Sequence, residues 1–302
     1  MYQKCHANLG IITLITGAVL ATSATPTILA SDFTVNVAVQ GLDSPTGIAY
    51  TGVAPWVALS EIPTPGVSGD DGGMNRVLLV NLKTQEQKEL SFGEPNPINL
   101  ALNREHTNLY WTCKSAGVIF REDNMGNKEM YLAGLDHPSG ITAAGKFIFF
   151  TTIGDPGNHS DKNKIWSYDG VDLKELTNGE PAPTDIAIGP DHSLYWTCNT
   201  AGVIIKLDPD GNKTMLLDGL DHPVGIAIDR KGHLYFTEVP TPGQSGMDGG
   251  HNKVWRYDLN TKMLDLVNEG DPEPTDITVT PSGSHIIWTC TSAGVIVVAQ
   301  EN

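Results

Sequence analysis

Short runs of apolar, β-branched and aromatic residues recur along the chain, each bounded by Gly, Pro, Asn or Asp. This pattern predicts brief strands separated by turns. In the stretch beginning at Gly219, residues 225–228, 233–238, 252–258 and 263–267 read as four successive strands. Past residue 30, nothing shows a helical period over ten or more residues. The predicted elements are therefore strands alone.

The strand pattern repeats. Leu109-Tyr110-Trp111-Thr112-Cys113 through Ile119 returns as Leu194 to Ile204 and again as Ile286 to Ile296. Trp111, Trp196 and Trp288 are spaced by 85 and 92 residues. Each long repeat divides in two. Gly41, Gly134 and Gly219 open three odd units; Gly93, Gly179 and Gly270 open three even ones. Six units of about 40 to 50 residues match the length of a four-stranded propeller blade. The expected fold is all-β: a six-bladed β-propeller with four antiparallel strands per blade.

Ring closure is also predicted. The last unit ends at Val297-Val298-Ala299 without a fourth strand. In the second and fourth units that strand is Lys128 to Leu132 and Lys213 to Leu217, each followed by Gly-Leu-Asp. Phe33 to Gln40 is the other segment followed by Gly-Leu-Asp. It is expected to cross from the N-terminus and complete the sixth blade beside residues 295–299, removing an exposed sheet edge.

Composition refines this picture. The 302 residues could form two domains, but one ring without a linker assigns 31–302 to a single domain. Residues 1–30 read as a secretory signal: Lys4, then an apolar run from Leu9 to Ala21, then Ala24 or Ala30 for cleavage. A membrane anchor is the alternative, though the run is short for a span and no other stretch approaches one. The mature chain is thus expected to be secreted or extracytoplasmic. It would carry 18 Lys and Arg against 35 Asp and Glu, near −17. Such a surface repels phosphate backbones, which excludes nucleic acid as a partner. A small molecule bound by a monomer is the expectation. Cys113, Cys198 and Cys290 occupy equivalent places in alternate blades, too far apart for a bridge, and read as buried thiols. Asn158 and Asn212 head N-glycosylation sequons, which matter only in a eukaryotic host.

Leu-Tyr-Trp-Thr followed by Asp-x-x-Gly-Asn resembles the Tyr-Trp-Thr-Asp repeat of lipoprotein-receptor propellers. Pro223 to Asp229 followed by Gly232 to Glu238 is similar to the NHL and streptogramin lyase repeats. The same six-bladed superfamily holds the gluconolactonase/senescence-marker proteins. The resemblance covers 33–302 and implies the fold. It does not carry over the magnesium-associated His pair and Glu of the lyases, nor the calcium set of the gluconolactonases. Cys also replaces the receptor motif's Asp in all three even blades.

Candidate chemistry lies where inner strands begin and second strands end, on one face of the ring. Equivalent inner-strand positions carry Gly47, Asn99, Gly140, Asp185, Gly225 and Asp276. Asn99, Asp185 and Asp276, with Glu94, Glu180 and Asp271 in the preceding turns, suit Ca2+ or Mg2+, or a cationic ligand. Their alternative is to cap loop backbone and lock blade to blade. Glu61 and Glu238 end second strands before long loops and are candidate acid–base groups; holding those loops is their alternative. His137 and His222, in Asp-His-Pro, are candidate bases or ligands, or structural histidines. Two functions remain open: a secreted small-molecule enzyme of hydrolase, lactonase, lyase or cyclase type, or a non-catalytic binding propeller.

Overall fold

The computed structural model describes residues 33–63, 73–154, 162–240 and 251–302. The signal-peptide segment, Asn158 and most of the long odd-blade loops lie outside these residues. Twenty-four strands form six four-stranded antiparallel sheets. Blade 1 is β2 (Pro45–Tyr50), β3 (Trp56–Glu61), β4 (Arg76–Asn81) and β5 (Gln87–Phe92). Blades 2 to 5 repeat that order through β21 (Leu264–Glu269). Blade 6 is β22 (Pro274–Val279), β23 (Ile286–Cys290), β24 (Val295–Glu301) and then β1 (Phe33–Val39). The first strands are β2, β6 (Pro97–Leu102), β10 (Pro138–Ala144), β14 (Pro183–Ile188), β18 (Pro223–Ile228) and β22. Each contacts the next around the ring, and β22 returns to β2.

The N-terminal strand closes the ring as its sequence implied. Phe33 pairs with Glu301, Val35 with Ala299 and Val39 with Ile296, with a bulge near Ala38. Beyond β1, the backbone N–H of Leu42 donates to the Gly294 carbonyl.

The core lies between neighbouring sheets. Ala227, Tyr235 and Val254 of blade 5 pack on Ile277, Ile286 and Trp288 of blade 6. Trp111, Trp196 and Trp288 are fully buried, as are the three free thiols of Cys113, Cys198 and Cys290. Burying one indole stabilises by up to about 5 kcal/mol on area grounds. Burial also raises the thiols, Cys198 to about 12, so they stay protonated and apolar.

Each member of the repeated Trp-Thr-Cys has a separate task. The indole N–H donates to an acid in the turn of its own blade: Trp111 to Glu94 at 3.1 Å, Trp196 to Glu180 at 3.2 Å and Trp288 to Asp271 at 2.8 Å. The threonine hydroxyl donates to the next blade's backbone: Thr112 to Ser139, Thr197 to Val224 and Thr289 to Thr46. The small thiol fills the interface behind them. Glu94, Glu180 and Asp271 thus brace the blades, and Lys128 and Lys213 balance the first two.

Candidate functional site

The inner strands begin with a six-fold device. Ser44, Asn96, His137, Ala182, His222 and Glu273 each precede a proline and each adopt a φ of 48 to 60°. Their carbonyls accept an N–H from just beyond the second strand, as in Ile62 to Ser44 and Val239 to His222, both 3.2 Å. His137 and His222 therefore sit where the backbone needs a left-handed turn. Their rings are partly exposed, and each Nδ1 lies 2.8 Å from the preceding Asp136 or Asp221. Among the described residues neither ring meets another candidate group.

Glu61 and Glu238 are buried and fully engaged. The Glu238 carboxylate accepts from the Asp221 backbone at 2.8 Å and from the Trp255 indole at 2.7 Å. Glu61 accepts from the Asp43 backbone at 2.9 Å and pairs with Arg76. Both tie the turn before an inner strand to the third strand of the same blade. They do not meet each other: the ring places them in blades 1 and 5.

Asn99, Asp185 and Asp276 do converge. The Gly–Asx alternation has two causes. A Cβ on Gly47, Gly140 or Gly225 would lie 2.4 to 2.9 Å from the Asx Cα of the next blade, so only glycine fits. The Asx side chain then reaches on to the following odd blade. Asn99 accepts from Ile141 N–H at 3.2 Å, Asp185 from Ile226 at 2.8 Å and Asp276 from Ile48 at 2.7 Å. Asn99 also donates its amide to Asp276 at 3.1 Å. Burial pushes the Asp276 carboxyl up to about 7, and Asp185 is raised well above the carboxylate range by burial and by facing Asp276. Both shifts favour a protonated pair.

This arrangement does not fit a divalent cation. Calcium takes six to eight oxygens, and magnesium demands a near-ideal octahedron. Here every acid oxygen already accepts a backbone N–H, because Ile186 and Ile277 occupy the remaining two. The Asn99 amide turns its N–H toward Asp276. No other group of three or more His, Cys, Asp or Glu suited to a metal occurs among the described residues.

The triad forms one end of an open cavity of about 230 Å3. Its walls include the partly buried Tyr50, Leu102, Ile188 and Ile228. It extends to the loops that follow the inner strands, at the opposite mouth from the one the sequence suggested. Arg104, His106 and Arg230 line that mouth. Sequence reasoning missed these residues. Their signal is the position seven residues after each inner-strand proline, which reads Gly52, Arg104, Gly145, Pro190, Arg230 and Pro281.

No protein-family model matches the chain, and no curated protein matches it by sequence. Solved structures do. A gluconolactonase from Xanthomonas campestris aligns with a TM-score of 0.70 at 16% identity, covering 93% of this chain and 96% of that one. The calcium-binding protein regucalcin from Agrobacterium tumefaciens gives 0.63 at 13%, covering 88% and 93%. A catalytically inactive virginiamycin B lyase from Staphylococcus aureus, solved with quinupristin, gives 0.58 at 18%, covering 89% and 99%. The chain is thus a six-bladed β-propeller, similar in fold to gluconolactonase, regucalcin and streptogramin lyase structures. At these identities the likeness extends to the fold.

Proposed function

We propose that this propeller is a small-molecule-processing enzyme of hydrolase or lyase type, with its site in the central channel. The observation that carries the reading is the Asp185–Asp276 pair in the wall of an open cavity. Two carboxyls holding one proton offer a donor and an acceptor side by side, the equipment of general acid–base catalysis. In hydrolysis of a lactone, the unprotonated member takes a proton from the attacking water. The protonated member returns one to the ring oxygen as the acyl–oxygen bond breaks. A gluconolactonase and a lyase among the similar structures support an enzyme over a passive binder. The acidic surface supports a non-nucleic-acid ligand. Residues 1–30 would export the chain, so the reaction would run outside the cytoplasm.

Turnover of a lactone panel, gluconolactone first, tests this by pH-stat titration. Asp185→Asn keeps an acceptor for Ile226 and should lower kcat/KM by about 100-fold or more with little loss of melting temperature. A wild type that opens no member of the panel, or an Asp185→Asn protein of full activity, would favour the non-catalytic binding propeller.

A further inference from the structure

The chain has five arginines in a sequence rich in acids. Three are paired with carboxylates: Arg76 with Glu61, Arg121 with Glu129, and Arg256 with Asp265 and Glu301. The remaining two, Arg104 and Arg230, have no side-chain hydrogen bond or ion pair among the described residues, and both line the channel cavity. Thirty-five acids against 19 bases leave no shortage of carboxylates for them.

Their placement is not dictated by the turn. Four of the six equivalent positions hold Gly or Pro, so the loop after an inner strand does not require arginine. The two exceptions fall in blades 2 and 5, which face each other across a six-membered ring. Gly52 has a further effect on that mouth: a Cβ there would overlap the His106 ring, so its absence lets His106 lie beside Arg104 at the rim.

We infer that this mouth is an anion-binding site, taking a small organic molecule with a carboxylate or phosphate head and a short apolar body. The head lies between the Arg104 and Arg230 guanidinium groups, whose forked donors suit planar or tetrahedral oxyanions. The body extends along the partly buried Tyr50, Leu102, Ile188 and Ile228 toward the Asp185–Asp276 pair. The inference rests on the channel reading above and adds the substrate's charge and orientation to it. The local arginines also offset an overall negative field that would otherwise keep anions out.

Calorimetric titration at low ionic strength tests it with octanoate, octyl phosphate, octanamide and inorganic phosphate. One or both octyl anions should bind, and which of them binds more tightly identifies the head. Octanamide should bind at least tenfold more weakly, as it keeps the body and loses the charge. Inorganic phosphate should also bind more weakly, as it lacks the body. Arg104→Gln and Arg230→Gln should each cost about tenfold or more in affinity for the octyl anion, while Asp185→Asn should leave that affinity within a few-fold. Equal affinity for octanoate and octanamide overturns the proposal. So does wild-type affinity in the double arginine variant, or failure of both octyl anions to bind. An inactive Asp185→Asn protein that still binds the anion supports the mouth site. Anion binding with full activity in Asp185→Asn supports the mouth and removes the acid–base role instead.

Discussion

In the unfolded chain Asp185 and Asp276 titrate as ordinary carboxyls near pH 4. In the ring, burial raises both, Asp276 to about 7 and Asp185 well above its usual value. The folded state therefore binds more protons than the unfolded state from about pH 4 upward. Linkage then requires stability to fall as pH rises through that window. The pair's contribution is complete below pH 4 and lost as pH passes through the raised values. Urea midpoints should drop between pH 5 and pH 8, and Asp185→Asn should flatten that slope. An identical slope in the variant would mean that the two carboxyls do not share a proton. Glu238 poses a different question, since it holds a turn rather than lining the channel. Glu238→Ala leaves the Asp221 N–H and the Trp255 indole without an acceptor in a buried place, and should destabilise by about 2–4 kcal/mol. Glu238→Gln keeps one acceptor and should cost less. If Glu238→Gln retains full stability but loses all turnover, Glu238 is a chemical group and not a brace.

The strands show which signals a sequence carries. The closing strand could be found because Gly-Leu-Asp follows the fourth strand of an even blade, where the chain turns into an odd one. Residues 33–40 carry that mark without a preceding blade. Removing residues 33–40 should leave β24 as an open edge, lower the melting temperature by ten degrees or more and broaden the unfolding transition. Calorimetry that showed an unchanged, cooperative peak would count against the clasp. The Asx ring was visible for the same reason, because strict alternation is a property of spacing. Its role was not, because an Asx oxygen serves a cation and an amide equally well in a sequence. The backbone N–H groups that reach all four acid oxygens favour the amide role. Likewise, Glu61 and Glu238 stand where the strand pattern put them. Their burial depends on Arg76 and Trp255, which arrive from a third strand across a long loop.

At the scale of the molecule, the three-fold repeat supplies a frame against which exceptions stand out. Inner-strand starts obey the repeat and turned out to be joints. The strand ends depart from it at Arg104 and Arg230, and that is where the channel opens. The sequence pointed to the mouth at the inner-strand starts, because how six strands fill one axis is not legible in it. The frame also predicts the response to divalent ions. Blade-to-blade bonds already occupy the Asx oxygens, so melting temperatures in millimolar calcium, in magnesium and in chelator should agree within a degree. A specific ion at 100 times its dissociation constant would add about 2.7 kcal/mol. A rise of several degrees, erased by Asp185→Ala, would show that a cation displaces those amides.

The pairing of Phe33 with Glu301 joins residues 268 positions apart. During synthesis the first strand of the ring is made before any blade, yet its place exists only after the last strand has been made. Five blades can form in order behind it while it waits. In a flexible chain, bringing such distant segments together would cost about 4 kcal/mol more entropy than closing a short hairpin. Folding of the intervening blades removes that freedom first, so closure should be the last step of folding. The same geometry brings Phe33 and Glu301 side by side. Joining the ends by a short turn and cutting the chain between two other blades would make blade 6 a local meander and remove the wait.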